Sequence, residues 1–235
     1  WPDPTNASPS KFIENLFSCF SYTGNSGSQT ITNGIDLSNE GGLVWIKCRT
    51  QAENHRLFDT ERGATYYLTS NSTAQHYAGF NQAFTSSGFS FNSNDASVNE
   101  NNLSYISWTF RKQPKFFDIV TYTGTGSART VSHNLGSVPG MIMVKRTDGS
   151  SDWYIHHRAF SSQQKIQFDD GTATTDVQGF TSTPTSSVFS LGTRGSVNDS
   201  GASYVAYLFA HNDGDGGFGS TGDQDIIKCG SYTGN

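Results

Sequence analysis

The chain has 235 residues, a formal net charge of −5 and only 15% charged residues. This length allows one or two domains with real cores. The acidic balance, with no basic cluster, excludes a phosphate-neutralising nucleic-acid surface, and no apolar run approaches the roughly 18 residues that a bilayer span needs. Hydrophobic residues are few at 34%, while aromatics reach 13% and Gly is abundant. That is the composition of a turn-rich all-β protein, neither helical nor disordered.

The first residue is Trp1 and no signal peptide is visible, so the chain is expected to be processed, truncated or partial. "PSKFIENLF" at 9–17 reads as a short helix with Phe12, Ile13 and Leu16 on one face, or as a linker within residues 1–15. "GLVWIKC" at 42–48 and "SYISWTFRK" at 104–112 read as strands buried on both faces. "GMIMVKR" at 140–146 and "SYVAYLFAH" at 203–211 read the same way. "DWYIHHRAF" at 152–160 alternates Trp153, Ile155 and His157 against Tyr154, His156 and Arg158. "KIQFDD" at 165–170 alternates Ile166 and Phe168 against Gln167, and Asp169–Asp170 before Gly171 reads as a hairpin turn. Turn chemistry separates these runs.

Phrases recur. "SYTGN" at 21–25 returns as "TYTGT" at 121–125 and "SYTGN" at 231–235. "GLVWIK" matches "GMIMVK", "SSGFSF" at 86–91 matches "SSVFSL" at 186–191, and "SVNENNLSYISWTF" at 97–110 matches "SVNDSGASYVAYLF" at 196–209. "RLFDTERG" at 56–63 can be laid on "DWYIHHRA" at 152–159, with Arg62 over Arg158. Offsets of 96 to 100 in constant order indicate a tandem duplication. We expect two antiparallel β-sandwiches of about a hundred residues, at 16–115 and 116–225. A Gly- and Asp-rich joint at 211–225, flexible or loop-like, would follow the second. Residues 226–235 would start a third copy or close the second sheet, and the natural chain is expected to run beyond Asn235. Cys19, Cys48 and Cys229 have no metal or disulfide spacing and read as buried thiols, with Cys19 and Cys229 at a core-strand position.

Candidate ligand contacts fall where the two copies differ. Tyr66 and Tyr67 in "TYYLTS", with His76 and Tyr77 in "QHYAGF", suit stacking on sugar faces. Plain core packing is the competing reading. Trp153, Tyr154 and His156 are further candidates, with one of the paired histidines packed near Trp153 and the other at the surface. Thr60 and Glu61 are taken as the counterparts of the two histidines. Asp213 and Asp215 offer oxygen ligands separated by Gly, which suit calcium, but no EF-hand pattern surrounds them and a solvated turn is simpler. No catalytic motif occurs. Asp59 with Glu61, and Asp169 with Asp170, lack the placement of a glycosidase pair. Asp59, Glu61 and Arg62 are expected to form a surface ion-pair network of little worth.

From about Asn15 to Asn235 the phrases "HNLGSVPGMIMVKRTDGSSDWYIHHRAF", "VNDSGASYVAYLFAHNDG" and "DIIKCGSYTGN" resemble a repeat found in virion structural and tail-fibre-like proteins of marine tailed phages, cyanophages especially. Where that repeat has an aromatic before the His, this chain has His156. The resemblance implies a lectin-like, jelly-roll sandwich at most, a place on the virion after assembly in the bacterial cytoplasm, and no catalytic residues. The expected function is therefore a non-enzymatic tail-fibre or adhesin-like module. Its partners would be other virion proteins, copies of itself (a trimer is one arrangement) and host surface polysaccharide, with no membrane insertion and no required cofactor. The alternatives are a capsid decoration or neck scaffold without a ligand, and a tail-associated polysaccharide depolymerase.

Overall fold

The computed structural model of the chain describes residues 11–161, 163–168 and 173–233. Two compact units divide the chain, Trp1–Lys112 and Gln113–Asn235. Among the described residues the regular structure of each is almost wholly β-strand, joined by long turns and loops, and every strand pairing is antiparallel.

In unit 1 the strands are β1 (Phe17–Thr23), β2 (Ser28–Thr32), β3 (Gly42–Cys48), β4 (Arg56–Asp59), β5 (Gln82–Thr85), β6 (Gly88–Asn92) and β7 (Ser104–Arg111). They form a four-stranded sheet in the order β1-β7-β3-β4 and a three-stranded sheet in the order β2-β6-β5. Period-two alternation decides which side chains meet between the sheets. Tyr22, Val44, Ile46, Cys48, Phe58 and Tyr105 come from the larger sheet, and Ile31, Phe89 and Phe91 from the smaller. Ile35, Leu37 and Val98 plug the core from the connections. The result is a sandwich of two inner faces.

In unit 2 the strands are β8 (Phe117–Thr123), β9 (Arg129–Ser132), β10 (Pro139–Arg146), β11 (Tyr154–His157), β12 (Gln164–Lys165), β13 (Thr174–Thr175), β14 (Val188–Leu191) and β15 (Ser203–Ala210). The main sheet runs β8-β15-β10-β11, the order of unit 1 again, and β9 pairs β14 opposite it. Ile142, Val144, Tyr154, Tyr204, Ala206 and Leu208 meet Val131, Phe189 and Leu191 in the core.

The recurrent phrase has a structural job, the same in both units. Tyr22 stacks on Tyr105 at 5.2 Å and its hydroxyl donates to the Val98 carbonyl at 2.8 Å. Tyr122 stacks on Tyr204 at 5.2 Å and donates to the Val197 carbonyl at 2.8 Å. Asn99 and Asn198 are both fully buried. Asn99 Nδ2 donates to the carbonyls of Gly27 and Ser93, and its Oδ1 accepts the Asn25 N–H. Asn198 Nδ2 donates to the carbonyls of Ser127 and Gly192, and its Oδ1 accepts the Thr125 N–H. A Cβ on Gly24 would strike the Glu100 carbonyl and the Tyr105 ring, and one on Gly124 the Asp199 carbonyl and the Tyr204 ring. "YTG" and "VN" are therefore two halves of one latch that pins the first strand to the loop before the last.

Several expectations change. Within 9–17 the described residues form only a 3-10 turn, Ile13–Asn15, and Leu16 alone of the expected apolar face is buried. Asp169–Asp170 and the hairpin expected there lie outside the described residues. The joint at 211–225 is a folded loop. Asn212 is fully buried and takes the N–H groups of Ile226 and Ile227 on its Oδ1, while Asp225 takes those of Gly214 and Gly216. Within 226–233 there is no strand; Ile227 packs on the unit 2 core and the Cys229 N–H donates to His211 Nδ1. Cys19 is exposed because it sits three residues before Tyr22, on the other face of β1. Only Cys48 of the three thiols is buried.

Strand register also corrects the alignment of the copies. Leu43 pairs Asp59 in β3–β4, and Met141 pairs His157 in β10–β11. His156 and His157 thus correspond to Phe58 and Asp59, not to Thr60 and Glu61. Asp59 itself is fully buried, and its Oδ2 meets Arg62 Nε at 2.6 Å. This is an interior ion pair, not the surface network expected. Glu61 pairs separately with Lys112 at 2.6 Å.

Candidate functional site

The connection from β4 to β5, residues 60–81, holds the four aromatic candidates of unit 1 together. Tyr67 and Tyr77 exchange backbone hydrogen bonds at 3.1 and 2.9 Å. This two-rung ladder is tied to β4 by the Leu57–Leu68 bridge. Directly opposed residues in such a pair place their rings side by side. Tyr67 and Tyr77 stack at 5.1 Å with 17° between planes. Their neighbours Tyr66 and His76, on the opposite face of the ladder, stack at 4.5 Å with 25° between planes.

Support comes from beneath. Phe58 and Phe80 pack on Tyr67 at 5.7 Å each, and the Arg56 guanidinium lies 4.6 Å from the Tyr67 ring centre. Arg56 is held in turn by Asp95 at 3.4 Å. Burial raises the Tyr67 hydroxyl pKa above its ordinary value, opposed by the nearby Arg56 charge. Tyr77 is 45% exposed, and Tyr66, Tyr67 and His76 are half-buried. The result is a preorganised aromatic ledge with one ring open to solvent. Asn54 and Asn71, joined at 2.8 Å, and the half-buried His55 continue the polar surface beside β4. His55 Nδ1 accepts the Trp45 indole N–H at 2.8 Å, and burial lowers its pKa.

Trp153, Tyr154 and His156 of unit 2 do not make a second ledge. They are 3%, 1% and 3% exposed. Trp153 packs on Phe168 and Tyr207, Tyr154 on Phe180, and His156 on Phe180 at 5.2 Å. The buried histidine therefore faces Phe180, away from Trp153, and burial lowers its pKa. A β11 position inside the sandwich leaves no ring face for an external ligand. His157, on the Trp153 side, is half-buried.

Asp213 and Asp215 are exposed and line a cleft of about 290 Å³ with Arg158, His211, Val138 and Pro139. Asp215 Oδ1 accepts the Asp213 N–H, and Lys228 Nζ approaches Asp213 at 3.5 Å. Among the described residues no group of three or more His, Cys, Asp or Glu side chains converges as metal ligands do.

Arg56 and Phe80, which shape the ledge, left no sign in the sequence reading. Their roles depend on cross-strand neighbours far apart in the chain. The signal within reach was negative: the ledge falls in the stretch of copy one that copy two matches least.

Comparison with curated proteins and with solved structures returns no match. A family model described as a domain of unknown function, DUF7483, matches residues 8–235, spanning both sandwich units and the segment after β15. The chain belongs to the DUF7483 family.

Proposed function

We propose that this chain is a non-enzymatic structural and adhesive module of a tailed-phage particle, and that unit 1 contacts host surface polysaccharide through the Tyr67–Tyr77 face of the aromatic ledge. The observation that carries the reading is the ledge itself. Tyr67 is held by a backbone ladder and by the Arg56 cation beneath it and stacks on Tyr77, which stays 45% exposed; Tyr66 and His76 stack on the other face. A rigid aromatic face beside amides suits a sugar ring, whose C–H face stacks and whose hydroxyls hydrogen-bond. The aromatic residues of unit 2 first considered alongside it are interior. The phage setting rests on the resemblance of the repeated phrases to virion and tail-fibre repeats. In that setting the latch-bearing sandwiches are lectin-like scaffold, the chain assembles with copies of itself and with other virion proteins, and no cofactor is required.

Two measurements test this. Gold-labelled antibody against the chain should decorate the tail or fibres of intact particles. The purified chain should bind host envelope polysaccharide on a glycan array without releasing reducing ends. Binding to no host glycan, with label on the capsid, would favour the scaffold alternative, and released reducing ends the depolymerase.

A further inference from the structure

We propose that unit 1 carries a second binding site, a shallow, open cleft for a neutral saccharide of one or two rings, centred on Gln82, Glu61 and Glu40. This rests on the reading of unit 1 as glycan-contacting and adds a separate subsite to it. The cleft has a volume of about 570 Å³, within the range of small-ligand sites. Its wall is apolar at Leu37, Ala64 and Phe84, and polar at Glu40, Glu61 and Gln82.

Gln82 gives the site its chemistry. It is 7% exposed, and among the described residues neither its amide nitrogen nor its amide oxygen has a hydrogen-bond partner. A buried primary amide left unpaired costs about 1–3 kcal/mol, so its retention needs a reason. Register shows what scaffold alone would place there. Gln82 pairs Phe91 in unit 1, whereas Phe180 bridges Leu191 in unit 2. The same slot in unit 2 thus holds a phenyl ring, 1% exposed and packed in the core. Extending the β3–β4 and β10–β11 register, Glu61 falls on Ala159 and Glu40 on Val138. All three polar groups are exchanged for apolar ones in the other sandwich, which folds without them.

The set matches hydroxyl-rich rings better than ions. Glu61 and Glu40 already meet the cations Lys112 and Arg111, at 2.6 and 3.4 Å. Each carboxylate keeps further lone pairs for hydroxyl donors. Among the described residues no basic side chain lines the cleft, and the nearby Lys112 and Arg111 are already paired with its carboxylates, which disfavours an anion. The Gln82 amide donates and accepts, the pairing that adjacent sugar hydroxyls ask for, and Phe84 supplies an apolar wall. Gln82 lines the cleft, and both of its amide atoms are buried.

The test is saturation-transfer NMR on the full chain with a panel of neutral mono- and disaccharides, beside polysaccharide capture by the same preparations. At least one neutral sugar should show transfer. Glu61→Ala and Gln82→Phe should each weaken it tenfold or more, with Gln82→Phe raising thermal stability. Tyr77→Ala should weaken polysaccharide capture and leave small-sugar transfer unchanged. If polysaccharide is captured but no neutral sugar shows transfer, or if transfer survives both cleft substitutions in folded protein, the cleft proposal fails and the adhesive reading stands. If neither polysaccharide nor sugar binds, both fail.

Discussion

Asn99→Ala removes the centre of the unit 1 latch, and its cost can be worked from the hydrogen bonds. The side chain is fully buried; it donates at 2.8 Å to each of the Gly27 and Ser93 carbonyls and accepts the Asn25 N–H at 3.0 Å. Truncation leaves three backbone groups short of a partner. Each lost bond is worth about 1 kcal/mol net, and more where water cannot replace it. A total of about 3 kcal/mol is expected, roughly 12 °C or more in melting temperature for a unit of this size. Asn198→Ala should cost as much, because its three bonds are equivalent. The exposed neighbour is the control: Asn101→Ala should stay within about 0.5 kcal/mol. Urea denaturation followed by tryptophan fluorescence measures all three. A loss under about 1 kcal/mol for either buried asparagine would refute the reasoning that the repeated phrase is a structural latch.

The two acidic residues of "DTER" should part company. Asp59→Ala strands the buried Arg62 charge and should cost about 3–5 kcal/mol. Glu61→Ala breaks only a partly exposed pair and should cost under about 1 kcal/mol in the same denaturation assay. Burial lowers the Lys145 pKa from 10.5 to about 8. Between those values the unfolded chain holds a proton that the folded chain has lost, so stability should rise with pH from about 8. The slope should reverse above about 10, where unfolded tyrosines ionise while Tyr22 and Tyr122, with pKa raised by burial, keep their protons. Urea midpoints across pH 7–11 test this, and Lys145→Met should abolish the rise. Maleimide should label Cys19 rapidly in the native protein. Cys48 should react only on unfolding, and Cys229, half-buried with a raised pKa, should lag behind Cys19.

The strands were the legible part of the sequence. "GLVWIKC" and "SYVAYLF" are continuous apolar runs that no surface would tolerate, and both lie where expected, as β3 and in β15. The recurrence of "YTG" and "SVN" was equally plain. What it did was not, because the Tyr22–Val98 bond joins residues 76 apart. Parity was available but unused: three residues from an inward Tyr22 leaves Cys19 outward on any strand. The two-residue error in laying "RLFDTERG" on "DWYIHHRA" has another cause. Those phrases share almost no side chains, and cross-strand bonds that fix register leave no local mark. The burial of Asp59 was hidden for a similar reason, since a charged run reads as solvated until its strand neighbours are known.

Both units share the scaffold, whereas the proposed ligand surface is confined to unit 1, and one measurement addresses that division directly. Binding of host envelope polysaccharide to the wild-type chain should be compared with binding to Tyr77→Ala, by surface plasmon resonance on the same immobilised glycan, with melting temperatures alongside. Tyr77 is 45% exposed, so its loss should leave the melting temperature within about 2 °C. At least a tenfold loss of affinity at unchanged stability is expected. Undiminished binding by folded Tyr77→Ala would contradict it.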